Sequence, residues 1–410
     1  MTERKPRIAI VSPFIDKRHG TERYIVAWLS RLVDEFEVHV YSQRVEDVDL
    51  KSILWHKTPR IPGPHVANYL WWFTANQIQR AKDGWFGKCQ YDLVYSAGVN
   101  CFDADLVSVH VIFAELLRLR ALQPPSEHSS VASWLRRVHR RIYYSMIALL
   151  ERRAYRNSRA ALVPITQKTA DELQAIYGRA DVLPPIYFGL DLKLLNPEMR
   201  CHLRQSARQD LGLQLNQFVL LLIGNDWNNK GLPVILDAMS QLRDLPLRLL
   251  VVGNDNLAPY RPLMEKLRLT GSVQFLSERK DVELFYAAAD AYVGVSQQDA
   301  LPLPPAEAMA CGLPVIVSAT CGIAELIENR KNGLVLLDPL DAESLSVQLR
   351  QLYEDAGWRA QLGENAAATV KQYTWERNAL QFRNILLSVL AKKTAKHAMV
   401  TVEGDYQPRD

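Results

Sequence analysis

The chain has few cysteines and no long apolar run, and these two features exclude several classes of protein. The 410 residues include five cysteines, an odd number. No pair has C-x-x-C spacing, which argues against a disulfide framework and against a zinc ribbon. We therefore expect a reducing, cytoplasmic compartment. No window approaches the roughly 18 to 20 consecutive apolar residues that a bilayer-spanning helix needs, so no transmembrane segment is expected.

An excess of one charge is also absent. The chain has 49 basic and 45 acidic residues, and the formal net charge of +4 is too small for this length to predict nucleic-acid binding. With 48% hydrophobic and 23% charged residues, the composition is that of an ordinary globular protein. The amino terminus enters a short strand-like run ending at Pro13 without the apolar core of a secretory signal, so secretion is not expected.

Two common nucleotide-binding motifs are missing. Neither G-x-G-x-x-G nor the P-loop G-x-x-x-x-G-K-[ST] occurs. In the nearest approach, Gly224 to Gly231, Lys230 precedes the second glycine instead of following it. Asp103 and Asp105 have a D-x-D spacing that can hold a divalent cation, but a plain turn explains such a triplet as well, and no metal site is predicted.

Short β-rich runs alternate with amphipathic stretches along most of the chain. A first series lies between Arg7 and Ile165 and a second between Phe218 and Leu337. This alternation predicts βαβ units, and the consecutive apolar residues of the second series predict parallel strands buried on both faces. The expected fold class is α/β, with two doubly wound Rossmann-like domains. The proline-rich passage 183–199 is the expected linker between them.

These patterns also suggest the domain boundaries. We expect an N-terminal domain over 1–190 and a C-terminal domain over 191–370. The apolar spacing in the last part of the chain predicts a helix over 371–392 that packs back on the first domain, followed by a frayed tail over 393–410.

The most informative segment runs from Ser296 to Ile316, where a buried strand gives way to a loop and a short helix. A proline pair suits the start of the helix and Gly312 suits the position after its end. Asp299 then falls in the loop and Glu307 in the first helical turn. Two such carboxylates can accept hydrogen bonds from the hydroxyls of a bound polyol while loop amides face a phosphate. Glu307 equally suits a plain role against the helix dipole, and the residues alone leave both interpretations open.

The same segment resembles the signature of family-four glycosyltransferases, which are retaining enzymes with the GT-B fold. In that signature an acidic residue, seven further residues and a glutamate precede a small helix ending in Gly-x-Pro-Val. Five other motifs occur in the family order, three before this segment and two after it: HGTER, NDWNNKG, VVGND, CGIAELIENRKNG and YTWERNALQF. The segments SAGVNCFDADLVSVH and RAALVPITQKTADEL are similar to those of lipopolysaccharide-core enzymes. The resemblance covers residues 7 to about 392 and implies an acceptor-binding first domain and a nucleotide-sugar-binding second domain facing a central cleft.

The resemblance implies roles for individual residues. Glu307 would bind the ribose hydroxyls of the donor, and Asp299 would contact the donor sugar in place of the usual glutamate. Lys230 would grip the pyrophosphate and offset the charge that develops as the glycosidic bond breaks. Gly20 matches a glycine whose missing side chain lets its amide approach that phosphate.

The remaining donor contacts implied by the resemblance are Gly253, Leu276 and Leu303, with the base recognised through backbone groups near Leu276 and Ser277. Asn225 is also expected to contact the donor, although the family commonly has arginine there. Losing a guanidinium costs about 1.5 to 3 kcal/mol unless another cation substitutes for it.

His110 resembles the family histidine that faces the reacting sugar from the first domain, where a neutral imidazole can hydrogen-bond a sugar hydroxyl or the acceptor. His110, Lys230 and Asp299 are therefore the predicted catalytic residues. No covalent nucleophile is nominated, because retaining chemistry lets the departing phosphate and the incoming hydroxyl share one face of the sugar.

The activity implied is transfer of a hexose, with retention, from a UDP- or GDP-linked sugar to a hydroxyl of a lipid-linked or cell-surface glycan, with no metal or other cofactor. Two alternatives remain open. One is a catalytically silent GT-B protein that binds a nucleotide sugar or a partner enzyme, suggested by Asn225 and Asp299. The other is a sugar-nucleotide epimerase of the same fold.

A local concentration of arginine suggests a further partner. Residues 113–160 hold ten arginines against three acidic residues, a surplus of +7 in a chain whose net charge is +4. Apolar residues recur there at helical spacing, largely away from the arginines: Trp134, Val138, Ile142, Met146 and Leu149. This pattern is typical of an interfacial helix, although a core helix with a solvated basic face is the alternative. With the aromatic run 69–73 as a second anchor, we expect an anionic membrane surface as partner and a peripheral location on the inner face of the cytoplasmic membrane.

Overall fold

The computed structural model describes residues 4–17, 20–85, 90–121 and 131–404, with side chains left undescribed at 85, 120–121, 131–136 and 396–404. The chain divides into two compact units, the first formed by 1–187 together with 375–410 and the second by 188–374. The first division falls inside the passage 183–199 that the sequence indicates as a linker. The second lies four residues after the expected boundary at 370.

The first unit is built on a six-stranded parallel sheet with the strand order β5-β3-β1-β6-β7-β8. A small parallel pair, β2 and β4, lies beside it. The strands are β1 (Arg7–Val11), β2 (Phe14–Ile15), β3 (Glu37–Ser42), β4 (Arg44–Val45), β5 (Leu54–Lys57), β6 (Leu93–Ala97), β7 (Leu106–Val109) and β8 (Ala161–Pro164). The helices are α1 (Gly20–Leu32), α2 (His65–Trp85), α3 (Phe113–Ala121), α4 (Val131–Tyr155) and α5 (Gln167–Tyr177).

The second unit repeats this plan with the strand order β11-β10-β9-β12-β13-β14, again all parallel. The strands are β9 (Phe218–Ile223), β10 (Leu247–Val252), β11 (Val273–Leu276), β12 (Ala291–Gly294), β13 (Val315–Ser318) and β14 (Leu334–Leu336). The helices are α6 (Pro197–Asp210), α7 (Leu232–Ser240), α8 (Tyr260–Lys266), α9 (Glu283–Ala288), α10 (Leu303–Ala310), α11 (Ala342–Glu354) and α12 (Ala356–Val370). Residues of β9 alternate between two buried clusters, one on each face of the sheet, as a doubly covered sheet requires.

The predicted fold class is confirmed, and both predicted series of strands form, the first over Arg7–Pro164 and the second over Phe218–Leu336. One strand of the first sheet was missed. β5 reads Leu-Trp-His-Lys, with both ends exposed, and it lies at the edge of the sheet. An edge strand pairs with only one neighbour and is partly exposed, so it needs no continuous apolar run. Its sequence therefore has no hydrophobic pattern from which a strand can be predicted.

The last helix, α13 (Trp375–Gly404), belongs to the first unit. It buries Trp375, Phe382 and Leu386 against the core that contains Trp28 and Tyr95. The apolar spacing that predicts this helix comprises Trp375, Leu380, Phe382, Ile385, Leu386 and Leu390. It is wrong in one position, since Leu380 is 55% exposed.

The tail expected to fray from about residue 393 is helical as far as Gly404, and its fraying stays a prediction. Lys393 Nζ donates to Asp105 Oδ2 at 2.7 Å. From Ala391 to Glu403 the sequence has neither glycine nor proline, so nothing in it ends the helix earlier. The last six residues of the predicted tail lie outside the described residues.

Candidate active site

The predicted donor residues of the second unit converge on the carboxyl-terminal edge of its sheet. Three loops meet there: residues 224–231 after β9, residues 253–259 after β10 and residues 295–302 after β12. Ligands of open parallel sheets bind at this edge, next to the point where the strand order reverses. In this sheet that point lies between β9 and β12, which are neighbours although they are far apart in sequence.

Lys230 and Asp299 form an ion pair at this edge, with Nζ donating to Oδ2. Their side chains are 15% and 20% exposed, so both remain accessible from one side. Burial opposes the charge on Lys230, but the Asp299 carboxylate outweighs it and raises the pKa of the lysine above its usual value. The lysine is therefore a fixed cation at the sheet edge.

Tight backbone packing brings the two residues together. Gly231 has φ +83°, and a Cβ on it would lie 2.5 Å from Val295 Cγ2, so only glycine fits between the β9 loop and the end of β12. Across the same contact, Asn229 Nδ2 donates to the carbonyl of Gln298 at 2.8 Å. Asp299 itself is anchored by its carbonyl, which accepts from the amide of Gly322 at 2.9 Å.

Glu307 lies in the same unit, but not where the sequence placed it. The helix α10 begins at Leu303, ahead of the proline pair, so Glu307 is its fifth residue and not part of the first turn. It is 4% exposed, and its Oε2 accepts from Tyr286 Oη at 2.7 Å. Burial, and after it the neighbouring carboxylate, raise the pKa of Tyr286, so the tyrosine stays a donor. Gly312 follows the helix with φ +70°, as expected for the residue after a helix end.

A pocket of about 460 Å³ opens beside these loops. It contains Gly253 and Leu276 from the predicted set, together with Ser277. Its other lining residues are Trp227, Asn254, Asp255, Asn256, Leu257 and Phe275. Gly253 is required there because its φ is +152° and a Cβ would lie 2.3 Å from the carbonyl oxygen of Gly224. An aromatic and aliphatic wall with amide, hydroxyl and carboxylate groups suits a planar polar ligand.

Asn225 contacts the loop after β10, which lines this pocket, in a way that the sequence did not indicate. Its Oδ1 accepts the backbone N–H of Asn254 at 2.7 Å. A second contact was missed altogether: Asp255 Oδ2 accepts the backbone N–H of Trp227 at 2.8 Å. The motifs NDWNNKG and VVGND contain all four residues, but a hydrogen bond between two loops leaves no spacing pattern in either of them.

The two predicted residues of the first unit lie after different strands, Gly20 after β2 of the small pair and His110 after β7 of the main sheet. Gly20 is the first residue of α1, and a Cβ on it would meet no protein atom within 4 Å. His110 directly follows β7, within 3.1 Å of Ser108 Oγ through Nε2, and its ring meets Tyr24 edge-on at 5.2 Å. Burial lowers the pKa of His110 to about 4, so its imidazole is neutral at physiological pH.

The D-x-D pair is occupied by protein partners. Asp103 Oδ1 accepts from Arg80 at 2.6 Å, and Asp105 Oδ2 accepts from Lys393 and from the amide of Val94. Among the residues that the structure describes, no group of three or more histidine, cysteine, aspartate and glutamate side chains is arranged to hold a metal ion. Across the same parts of the chain, no helix has both the length and the apolar character needed to cross a bilayer.

Two family models match this chain, one on each half. The model described as Glycosyltransferase Family 4 matches residues 18–194, and the model described as Glycosyl transferases group 1 matches residues 204–369. The chain thus belongs to the GT-B glycosyltransferases and is similar to their lipopolysaccharide-core members.

Two curated relatives make the likeness more specific. Lipopolysaccharide glucosyltransferase WaaG of Escherichia coli K12 is 32% identical over 232 residues, which are 54% of this chain and 61% of the relative. D-inositol 3-phosphate glycosyltransferase of Paenarthrobacter aurescens is 30% identical over 233 residues, 54% of this chain and 55% of the relative. The matches therefore span only about three fifths of the length of these relatives.

Solved structures agree on the fold. The crystal structure of WaaG, a glycosyltransferase involved in lipopolysaccharide biosynthesis, has a TM-score of 0.75 at 23% identity, covering 91% of this chain and 98% of that one. Sucrose-phosphate synthase of Thermosynechococcus elongatus has a TM-score of 0.74 at 20% identity, covering 94% and 100%. Anabaena HepE in complex with UDP-glucose has a TM-score of 0.68 at 21% identity, covering 93% and 99%.

Proposed function

We propose that this protein is a retaining hexosyltransferase that takes a hexose from a nucleotide sugar and transfers it to a hydroxyl of a lipid-linked or cell-surface glycan. The observation that carries the proposal is the ion pair of Lys230 and Asp299 beside the pocket at the sheet edge. A cation, a sugar-facing carboxylate and a cavity for a planar group are the parts that a nucleoside diphosphate sugar needs.

The ion pair provides a way to bind the donor. A pyrophosphate is a stronger anionic partner for Lys230 than a single carboxylate, so donor binding moves Nζ from Asp299 to the phosphates. Asp299 is then released to accept hydrogen bonds from the donor sugar. As the glycosidic bond breaks, the negative charge that gathers on the departing nucleoside diphosphate is offset by the same lysine.

Glu307 and the pocket complete the donor site in this proposal. The carboxylate of Glu307 binds ribose hydroxyls while its Oε2 keeps the hydrogen bond from Tyr286. The base enters the pocket lined by Gly253, Leu276 and Ser277. His110, neutral because of its burial, offers a hydrogen bond to the reacting sugar or the acceptor without adding charge. No residue is required to form a covalent intermediate, and no metal ion or other cofactor takes part.

UDP-glucose is the first donor to test. The relative WaaG is named a glucosyltransferase, and the structural neighbour HepE is known in complex with UDP-glucose. GDP-linked sugars remain the second candidates, because backbone contacts in a pocket of this kind do not distinguish strongly between bases.

A panel of UDP- and GDP-sugars separates this function from its two competitors. The protein is incubated with each donor and with a bacterial lipid extract containing glycan acceptors, and the products are analysed. Acceptor-dependent release of nucleoside diphosphate, with an α-linked product from an α-linked donor, is the expected result. An isomerised sugar nucleotide indicates an epimerase, and binding without either product indicates a silent protein. Either of these contradicts the proposal.

An anionic membrane surface is the second partner that we propose, in the inner leaflet of the cytoplasmic membrane, through residues 113–160. Along α4, Arg137, Arg140 and Arg141 are exposed, and so are Ile142 at 55% and Leu149 at 68%. Ile147 is buried against the unit, so the helix both packs and presents a mixed basic and apolar outer face. Such a face suits the boundary between lipid headgroups and acyl chains. The side chains of Trp134 and Arg136 lie outside the described residues.

Vesicle co-sedimentation tests this partner. Each exposed arginine near an anionic leaflet contributes about 1 kcal/mol, so Arg140→Glu with Arg141→Glu is expected to weaken binding to anionic vesicles at least tenfold. Binding to zwitterionic vesicles is expected to be weak throughout. The matched control, Arg243→Glu with Arg261→Glu at exposed positions of the second unit, should bind as the wild type does. If co-sedimentation does not change with lipid charge, with salt or with the α4 substitutions, the proposed membrane-binding role of α4 is contradicted.

A further inference from the structure

Two hydrogen bonds join the loop that carries Lys230 to the loop that lines the pocket. We call residues 224–231 the phosphate loop and residues 253–257 the pocket loop. Asn225 of the phosphate loop accepts the amide of Asn254 at 2.7 Å, and Asp255 of the pocket loop accepts the amide of Trp227 at 2.8 Å. Each loop thus supplies one side-chain acceptor and one backbone donor to the other.

The backbone beneath these bonds is closely packed and unusual in conformation. The amide of Gly224 donates to the carbonyl of Val252 at 2.9 Å, and Gly253 approaches Gly224 so closely that a Cβ on it would clash at 2.3 Å. Asp226 has φ +54°, a left-handed conformation that residues other than glycine seldom adopt. Such a conformation persists where the surroundings hold it, and here the two hydrogen bonds flank it on both sides.

Asn225 therefore has a different chemical role from the arginine common at this position. A guanidinium has donors and no acceptor, so arginine at 225 cannot take the amide of Asn254. Asparagine offers that acceptor and adds no charge. The Asn225 side chain therefore binds the neighbouring loop and does not replace the positive charge of an arginine.

We propose that Asn225 and Asp255 are positioning residues that fix the distance between Lys230 and the pocket, so that one nucleotide is held at its phosphates and at its base together. This inference rests on the proposed donor function. It predicts that breaking the hydrogen bonds between the two loops weakens the binding of ligands that contact both loops, such as UDP or GDP. The binding of inorganic pyrophosphate, which needs only the phosphate loop, should be unaffected.

Calorimetric titration of the full-length chain with UDP, GDP and pyrophosphate tests the proposal. Losing one such hydrogen bond is expected to weaken nucleoside diphosphate binding about three- to tenfold in Asn225→Ala and Asp255→Ala. Asp255→Asn retains an acceptor oxygen for Trp227 and should restore binding to within about twofold of the wild type. Asn225→Arg should bind the nucleoside diphosphate no more tightly than Asn225→Ala. Pyrophosphate affinity should stay constant in Asn225→Ala, Asp255→Ala and the surface control Asp244→Ala.

Three results decide against the proposal. Tighter nucleoside diphosphate binding in Asn225→Arg than in the wild type would show that a missing guanidinium is the real effect. Wild-type affinity in Asn225→Ala and Asp255→Ala, or an equal loss of pyrophosphate and nucleotide binding, would show that the two hydrogen bonds do not set the distance. A wild-type chain that binds none of the three ligands instead contradicts the proposed donor function itself, and with it this role, so the two failures are distinguishable.

Discussion

The two units share one strand order and differ in how they hold their polar groups. In the second unit the candidate residues are tied to partners close by, as Lys230 is to Asp299 and Asn225 is to Asn254. In the first unit the candidate residue His110 makes its polar contact with a neighbour from the strand it follows, Ser108 Oγ at 3.1 Å, and the buried Glu151 lies elsewhere, under the start of α3. The fold thus determines where a site can lie, and the loops determine whether it is assembled in advance.

The two units also differ in how they are completed. The second is continuous in sequence from 188 to 374, whereas the first depends on α13, which comes from the far end of the chain. Phe382 of that helix is fully buried and its ring lies 4.4 Å from Trp28 and 5.2 Å from Tyr95. The core of the first unit is therefore incomplete without the last segment of the chain.

The largest expected effect is on this core. Phe382→Ala should cost about 3 to 5 kcal/mol of unfolding free energy, because it removes a large buried side chain and leaves a cavity. Leu380→Ala, on the same helix but at an exposed position, should change stability by less than about 0.5 kcal/mol. Denaturant unfolding measures both. Equal effects of the two substitutions would mean that α13 does not complete the first unit.

The next effect is on chemistry in the second unit. Lys230→Ala should lower turnover about 100-fold or more, because a fixed cation next to the departing diphosphate is lost. Lys331→Ala, which removes an exposed lysine of the same unit, should leave turnover within twofold of the wild type. Steady-state kinetics with the preferred donor provides the comparison. An active Lys230→Ala variant would remove the lysine from the proposed mechanism.

Two substitutions of Glu307 distinguish its contribution to donor binding from its contribution to stability. Glu307→Ala leaves the buried Tyr286 hydroxyl without its acceptor and should cost about 1 to 3 kcal/mol in stability as well as weakening the donor. Glu307→Gln keeps an acceptor for Tyr286 but loses the charge that ribose hydroxyls favour, so it should weaken donor binding at nearly wild-type stability. Thermal unfolding and donor titration are compared for both. A Glu307→Gln variant that binds donor normally would limit Glu307 to a structural role.

The most gradual expected effect is a pH dependence in the first unit, spread over more than two pH units. Burial raises the pKa of Glu151 to about 7, although its oxygens accept the amides of Phe113 and Ala114 and the hydroxyl of Tyr177. Between its unfolded pKa near 4.5 and its folded pKa, the native state binds the extra proton. Stability from this group is therefore fully present below pH 4.5 and is lost as the pH rises to 7, by up to about 3 kcal/mol.

Glu151→Gln removes this titration and supplies the test. The stability of the wild type, measured relative to the variant, should fall as the pH rises from 5 to 7. His110 titrates with the opposite sign over part of this range, since its lowered pKa favours the native state at higher pH, but it contributes equally to both proteins. A difference that stays constant over this range would mean that Glu151 does not bind a proton on folding.

Much of this architecture could be predicted from the sequence because parallel strands buried on both faces leave unbroken apolar runs, as in Phe218–Ile223. Edge strand β5 could not be found in this way, and neither could the end of α13, where helix-forming residues continue past the last buried position. The residue types of the site followed from its motifs. The burial of Glu307 did not, because the side of a short helix that faces the core depends on where the helix begins, and Leu303 starts it ahead of the prolines.

The hydrogen bonds between separate loops could not be predicted from any local sequence pattern. Asn225 reads in the sequence as a lost arginine, yet in the structure its oxygen is the acceptor for Asn254. Asp255 and Trp227 are 28 residues apart and meet only because β9 and β10 are neighbours in the sheet. Such pairings depend on the tertiary arrangement and not on propensity or spacing.

Hydrogen exchange of the full-length protein with and without the nucleoside diphosphate of its preferred donor tests the central claim most directly. The account predicts that bound nucleotide slows exchange in the phosphate loop, the pocket loop and residues 276–277, while exchange in α4 stays unchanged. Binding without protection in these loops, or with protection concentrated in the first unit, would contradict the placement of the donor site at the carboxyl edge of the second sheet.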